Sequence, residues 1–427
     1  SDMTFWNPSE LIGENPKPLS YSIFNDIFMK KSWNKGLQEI GYSKVDRNLM
    51  HRFGNKPYID VQSVIEALLP NDISMNLKSK LKKFYKHRFL NNLINHDKFE
   101  FEIMPGTIII DKNLSDSLKD YLTKPQYSSY IKSLNCLTKN IIKNFPEYRL
   151  KYMSDVKRCT RKKSVDPHSD HLSIIKLINQ NLEILKQYAT PQFSGAARMA
   201  FISKYIIDYS VLDNLLTTSD SVCFYNSLNT IVSQYTSDLD KLSVSKINKK
   251  YNHMRSGTYS LSSPKFKLSN KIKGRGYKTR KKINRRDFTK KLPNIIKKYN
   301  LNCSTKELSG FLIESIKLRE YLKFNFSKTI SKILDLIELL AKNLEVNIKD
   351  MEYMDIDILL AGVSYPNKIE CINMYINHIK SQIDSFNNNN HHIHNECITS
   401  QKDLFIIEHK ASKPNFVTEG IVSSKIK

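Results

Sequence analysis

Arg319 and Lys323, in the stretch LREYLKFNFSK (Leu318 to Lys328), stand four residues apart in a long helix-like pattern. That spacing sets both cations on one helical face, one turn apart. A guanidinium and an ammonium side by side can grip a phosphate or a carboxylate, the first through its planar fork of donors and the second as a point charge. A second group of donors occurs in YNHMRSGTYSLSSPKF (Tyr251 to Phe266), where His253, Arg255, Thr258 and Tyr259 surround a Gly-containing turn. Glycine lets a backbone approach a ligand closely, and the cationic and hydroxyl groups supply donors around it. Such a turn also serves as a plain solvated connection.

The element that must position the first pair starts at STKE (Ser304 to Glu307), which has the form of a capping box. Beyond it Leu312, Ile316, Phe326, Ile330, Ile333, Ile337 and Leu340 recur at heptad-like steps, and steps of three and four from Ile316 land on Arg319 and Lys323. The cations are therefore expected within the apolar stripe itself. Two unpaired buried cations are prohibitive, so each must meet a carboxylate, snorkel outward or face a polar cavity. An internal ion pair and an anion-binding cleft both satisfy that demand.

The surrounding chain is mainly helical by its pattern. Its 427 residues can bury at least one substantial core, and 12 Gly and 14 Pro favour helix over turn-rich β structure. The expected class is mainly α (α+β), a helical domain with a small mixed α/β region near the N-terminus. Residues 1–115 read as a mixed subdomain, because NPKPL, FGNKPYIDV and KFEFEI alternate short apolar runs with turn signals. Residues 116–263 read as a helical subdomain, as in LSIIKLINQNLEILKQY (Leu172 to Tyr188). Residues 264–291 read as a basic loop or linker, 292–386 as a helical subdomain with the candidate anion site, and 387–427 as a low-complexity loop and C-terminal extension.

Charge is uneven. The net charge of +25 raises nucleic acid, acidic membranes and phosphorylated substrates as partners, but much of the excess lies in Lys265 to Lys291, which holds one acid, Asp287. A basic module for nucleic acid or an acidic surface is thus an alternative function, though the stretch lacks a recognised fold signature and has few interleaved aromatics. Six cysteines without a CxxC pair point away from a zinc ribbon or a disulfide framework, and a reducing cytoplasm is the simplest setting. There is no signal-peptide layout and no apolar run of membrane-spanning length, so no membrane partner is expected. DPHSDH (Asp166 to His171) and HHIHNEC (His391 to Cys397) offer metal-ligand types without paired spacing, and read as incidental polar loops. Trp6 and Trp33 read as packing anchors. No GxxxxGK[ST] loop occurs, and KGRGYK (Lys273 to Lys278) lacks the flanking strand and helix of a nucleotide fingerprint.

Seven segments in order, FWNPSELIGENPKPLSYSIFNDIF, NKPYIDV, HDKFEFEI, ARMAFISKYI, HMRSGTYSLSSPKF, REYLKFNFSK and KPNFVT, give the chain a resemblance that covers nearly its whole length. Together they resemble the central region of phosphoenolpyruvate-synthase-like phosphotransferases of surface-polysaccharide and natural-product clusters, of the L-glutamine kinase type and more distantly the rifampin phosphotransferase type. The resemblance implies a machine in which an ATP-grasp-like domain binds ATP and Mg, a swivelling domain carries a phosphorylatable His, and the domain between them holds a small polar acceptor. ATP would yield AMP and phosphate overall. This chain would be the acceptor domain alone, with no cofactor of its own and no activity without its two partner domains. Carried over, Arg319 and Lys323 would hold the incoming phosphoryl group or the acceptor, and Glu320 would orient a cation or accept a proton. Arg255 and Tyr259 would follow as binding residues. Ser256 stands where the family form LRPGTYD has Pro, and Ser260 stands in place of its Asp, so a rigidifying residue and a carboxylate are lost and a different acceptor is expected.

Overall fold

The computed structural model describes residues 3–4, 11–93, 100, 103–159, 169–269, 285–389, 395 and 397–404. Helices dominate, with a small antiparallel sheet of order β2-β3-β1-β4, where β1 is Met3–Thr4, β2 Met50–Phe53, β3 Lys56–Asp60 and β4 Cys397–Ile398. Gly54, at φ 56°, turns the β2–β3 hairpin in a conformation that favours glycine. The N-terminal region also holds α1 (Pro18–Phe24), α2 (Ser32–Glu39), α3 (Val61–Ala67) and α4 (Met75–Leu90). The mainly α class with a mixed N-terminal region is what the structure has.

The helical body follows as α5 (Lys112–Tyr121), α6 (Lys124–Cys159), α7 (His171–Tyr188), α8 (Thr190–Leu212), α9 (Thr218–Ser227), α10 (Ile231–Lys241) and α11 (Val244–Tyr251). It continues in α12 (Arg285–Lys298), α13 (Thr305–Asn343), α14 (Ile348–Met351), α15 (Ile356–Ala361) and α16 (Lys368–Asn389). The longest helix, α13, packs along α8, α7 and α6 and forms the axis of the core. Its start is the capping box the sequence encodes: Ser304 Oγ accepts from the Glu307 amide at 3.2 Å, and Glu307 Oε2 accepts from the Ser304 amide at 2.7 Å. Phe326 anchors its middle, edge-on to Phe28 at 5.4 Å and stacked on Phe193 at 6.1 Å. Among the described residues no helix is long and apolar enough to cross a membrane.

A close crossing sets α2 against the start of α8. A Cβ built on Gly36 collides with the Pro191 carbonyl oxygen, and one on Gly195 would stand 2.5 Å from the Tyr152 hydroxyl. Glycine at both positions lets the backbones meet.

Three expectations are corrected. The basic stretch does not run as a loop to residue 291, because α12 begins at Arg285 and buries Phe288, Leu292 and Ile295 at helical spacing. Residues 387–427 are not all loop and extension: α16 continues to Asn389, and β4 joins the sheet with Met3 opposite Ile398. In Lys98–Ile103, whose period-two alternation suits a strand, the two described residues Glu100 and Ile103 lie in π-helical turns. Residues 270–284, 166–168, 391–394 and 405–427, and Trp6, lie outside the described residues, and with them most of the two His-containing loops and KPNFVT. Trp33 is partly buried against the core, as an anchor should be.

Candidate functional site

Arg319, Glu320 and Lys323 sit on α13 where its apolar row surfaces. The core positions are Leu318 and Leu322, each one residue before a cation, so the two cations flank the buried stripe and do not occupy it. Over this turn the core is filled by Leu318 and Leu322, while Arg319 lies along the edge of α8 against Phe201, so the row of three-and-four steps is interrupted here and resumes at Phe326. Along the row the sequence singled out, Leu312 is buried, Ile316 and Arg319 are half-buried, Lys323 is exposed, and Phe326, Ile330 and Ile333 are buried again.

Arg319 Nη1 donates to Glu320 Oε1 at 2.6 Å, and the guanidinium lies 5.8 Å from the Phe201 ring of α8. Its Nε is buried and, among the described residues, has no hydrogen-bond partner. The guanidinium is thus braced on one edge by a carboxylate and on its face by an aromatic ring, with a donor left over. Glu320 is engaged with its neighbour.

The second cluster is arranged differently. Arg255 Nη1 donates to the Ser263 carbonyl oxygen at 2.6 Å, and Nη2 to Asp335 Oδ1 at 3.1 Å. Its side chain is 4% exposed, and Asp335 also takes Lys265 Nζ at 2.6 Å. Arg255 therefore staples its own turn to α13. The turn is a short antiparallel reversal in which the Phe266 amide donates to the Met254 carbonyl at 2.7 Å. Tyr259 is buried edge-on to Phe24 at 5.3 Å, where burial pushes its phenol well up, and its carbonyl accepts from Ser20 Oγ at 3.0 Å. Thr258 is half-buried beside it.

The two serines that depart from the family form brace this turn. Ser256 Oγ pairs with Ser263 Oγ at 2.8 Å, and Ser263 Oγ accepts from the Gly257 amide at 2.9 Å. Ser260 Oγ donates to Glu352 at 3.1 Å, and the same carboxylate accepts from the Ser262 amide at 2.9 Å and from Lys17. A carboxylate absent at position 260 is thus present beside it on Glu352, a residue the sequence pattern did not single out. Burial acts to raise the Glu352 carboxyl, but the Lys17 ion pair and the Ser262 amide outweigh it and hold it below the usual carboxylate range.

His253 is buried edge-on to Phe324 at 4.6 Å, with Nε2 unpartnered among the described residues. Burial first, then the Lys328 ammonium, pull its pKa from 6.5 down to about 4. A neutral folded imidazole that the unfolded chain can protonate costs stability in acid. The contribution is complete above pH 6.5 and is lost as pH falls from there toward 4. The full shift sets an upper limit of about 3 kcal/mol, and screening by solvent close to this near-surface ring brings the expected loss to about 1–2 kcal/mol. Urea titrations of wild type and His253→Gln at pH 7.5 and pH 4.5 check this. The wild type should lose more stability between the two pH values than the variant.

The four residues of the turn and the α13 pair do not form one pocket. At about 100° per residue, Phe324 and Asp335, which receive His253 and Arg255, lie roughly 140–160° around the helix from Arg319. The structure places His253, Arg255 and Tyr259 as packing and stapling groups, and leaves Arg319 and Lys323 at the surface. Among the described residues no group of three or more His, Cys, Asp or Glu is placed to hold a metal ion. A scan against protein-family models and searches of curated proteins and of solved structures return no match to this chain.

Proposed function

We propose that this chain is the acceptor-binding domain of an ATP-dependent phosphotransferase of the phosphoenolpyruvate synthase/L-glutamine kinase type, acting on a small polar metabolite through a phosphohistidine carried by another domain. The ordered motif resemblance supports the reading. The observation that carries it is the place where the α13 row surfaces: Arg319 half-buried and held by Glu320, and Lys323 exposed one turn on. Their part is positioning and charge stabilisation, which phosphoryl transfer chiefly demands. Glu320 holds the guanidinium in orientation, and Arg255 acts by fixing the neighbouring turn. ATP and Mg belong to the ATP-grasp-like domain, and the work of the chain is done in the cytoplasm.

Calorimetric titration of the chain with L-glutamine, glutamate and a panel of small polar metabolites tests this. Saturable binding of one of them, weakened at least about tenfold in Arg319→Ala/Lys323→Ala, is the expected result. Binding of nucleic acid alone, falling steeply with salt, would instead favour the basic-module alternative.

A further inference from the structure

The last long helix, α16, carries two apolar rows. Cys371, Tyr375, Ile379 and Phe386 are buried and hold it to the body of the fold. Ile369, Ile372, Ile376 and Ile383 form the second row. At 100° per residue these four fall within about 60° of one another, roughly 85° around the helix from the buried row. Ile369 is 67% exposed and Ile376 36% exposed, while Ile372 and Ile383 are partly buried against the core. Val363 and Tyr365, just ahead of the helix, are exposed as well. Single exposed apolar side chains are ordinary on any surface, but a row of isoleucines on one helical face is what an interface presents.

Spacing and charge indicate what covers it. Ile369, Ile376 and Ile383 are seven residues apart, a repeat that keeps one seam turned to a partner helix over about 21 Å. The formally charged side chains of α16 are Lys368, Glu370, Lys380 and Asp384, all exposed, and none is ion-paired among the described residues. Two cations and two carboxylates give no preference for an anionic or a cationic partner. They suit a copy of the same face, because a two-fold interface must be complementary to itself.

The register of such a pair follows from the sequence. A two-fold axis through Ile376 runs α16 antiparallel to its copy, sets Ile376 beside Ile376, and brings Ile369 level with Ile383 of the other copy. Glu370 and Lys380 lie on the same flank of the isoleucine row, and like flanks adjoin in a two-fold antiparallel pair. Lys380, four residues past the axis, stands about 6 Å along the helix from it. Glu370 of the other copy, six residues before the axis, stands about 9 Å along in the same direction. These long side chains can therefore meet across the seam, twice in each pair. Lys368 is level with Asp384 of the other copy, so each end gathers two cations and two carboxylates.

We infer that this chain self-associates through α16 as a two-fold dimer, with the Ile369, Ile376 and Ile383 row as its seam and Lys380–Glu370 ion pairs at its edge. A seam made by one helical face is smaller than a standard interface, so the expected affinity is in the micromolar range. The inference uses none of the α13 residues and does not rest on the phosphotransferase reading.

The test is sedimentation equilibrium of the intact chain, 49.7 kDa as a monomer, at loadings from about 1 to about 200 μM. The wild type should approach twice the monomer mass across that range. Ile376→Asp sets two carboxylates together at the axis and should weaken association at least about 100-fold. Lys380→Glu should weaken it about fivefold or more, because a symmetric pair feels each change twice, and Glu370→Lys/Lys380→Glu should recover most of that loss. All three positions are exposed, and circular dichroism checks that the variants fold. The inference is overturned if the wild type stays monomeric at the highest loading, if folded Ile376→Asp associates like wild type, or if the double charge reversal rescues nothing.

Discussion

Arg198→Ala is expected to destabilise the fold by about 3–5 kcal/mol, as loss of one partner from a buried charged network does. Arg198 is 2% exposed in α8. Its Nε donates to the Tyr42 hydroxyl at 2.9 Å, its guanidinium lies 5.1 Å from the Tyr42 ring, and Nη2 reaches the Pro105 carbonyl oxygen at 3.5 Å. Glu100 is buried nearby, where burial pushes its carboxyl up and the Arg198 charge opposes the rise. Tyr205 ties the same region down, donating to the Glu100 carbonyl at 2.9 Å, and a Cβ on Gly106 would collide with the Tyr205 ring. Removing the guanidinium leaves a void, an unpaired phenol and the Pro105 carbonyl without its donor. Glu100→Gln should cost much less, because a carboxyl already pushed toward its neutral form is replaced by a neutral group. Urea unfolding of the two variants checks the order. A loss below about 1 kcal/mol for Arg198→Ala would show that the network contributes little.

Much of the helical body is legible in the sequence because its signals are local. The apolar spacing in Leu172–Tyr188 marks α7, whose Asp170 cap accepts from the Ser173 amide at 2.6 Å. STKE marks the start of α13, and Gly54 marks a hairpin. What is not legible depends on distant partners. Nothing in Cys397–Ile398 announces that it pairs with Met3–Thr4, at the far end of the chain. The start of α12 was readable from Phe288, Leu292 and Ile295, but the dense cations around them masked the pattern.

The candidate site follows the same division. That Arg319 and Lys323 share a helix face is local geometry. That Leu318 and Leu322 take the core positions is decided by how α8 meets α13. Arg255 looked like a ligand-binding cation because its partner Asp335 lies 80 residues away, with no local sign of the pairing.

The second large effect is on catalysis. On the proposed function, in a protein that joins this chain to the ATP-grasp-like and phosphohistidine domains, Arg319→Ala/Lys323→Ala should lower the rate of acceptor phosphorylation by about 100-fold or more, the scale of losing preorganised donors at a developing charge. The helix should be spared, because neither side chain occupies a core position and the buried residues Leu318, Leu322 and Phe326 are untouched. Arg319→Lys should recover only part of the rate, since an ammonium lacks the planar fork and the stacking on Phe201. The direct measurement is ATP-dependent transfer to the acceptor, followed by phosphorus NMR, in wild type and in the double variant with matched circular dichroism. The account predicts phosphorylated acceptor and AMP from the wild type and almost none from the variant. Transfer at the wild-type rate by the folded double variant would contradict it.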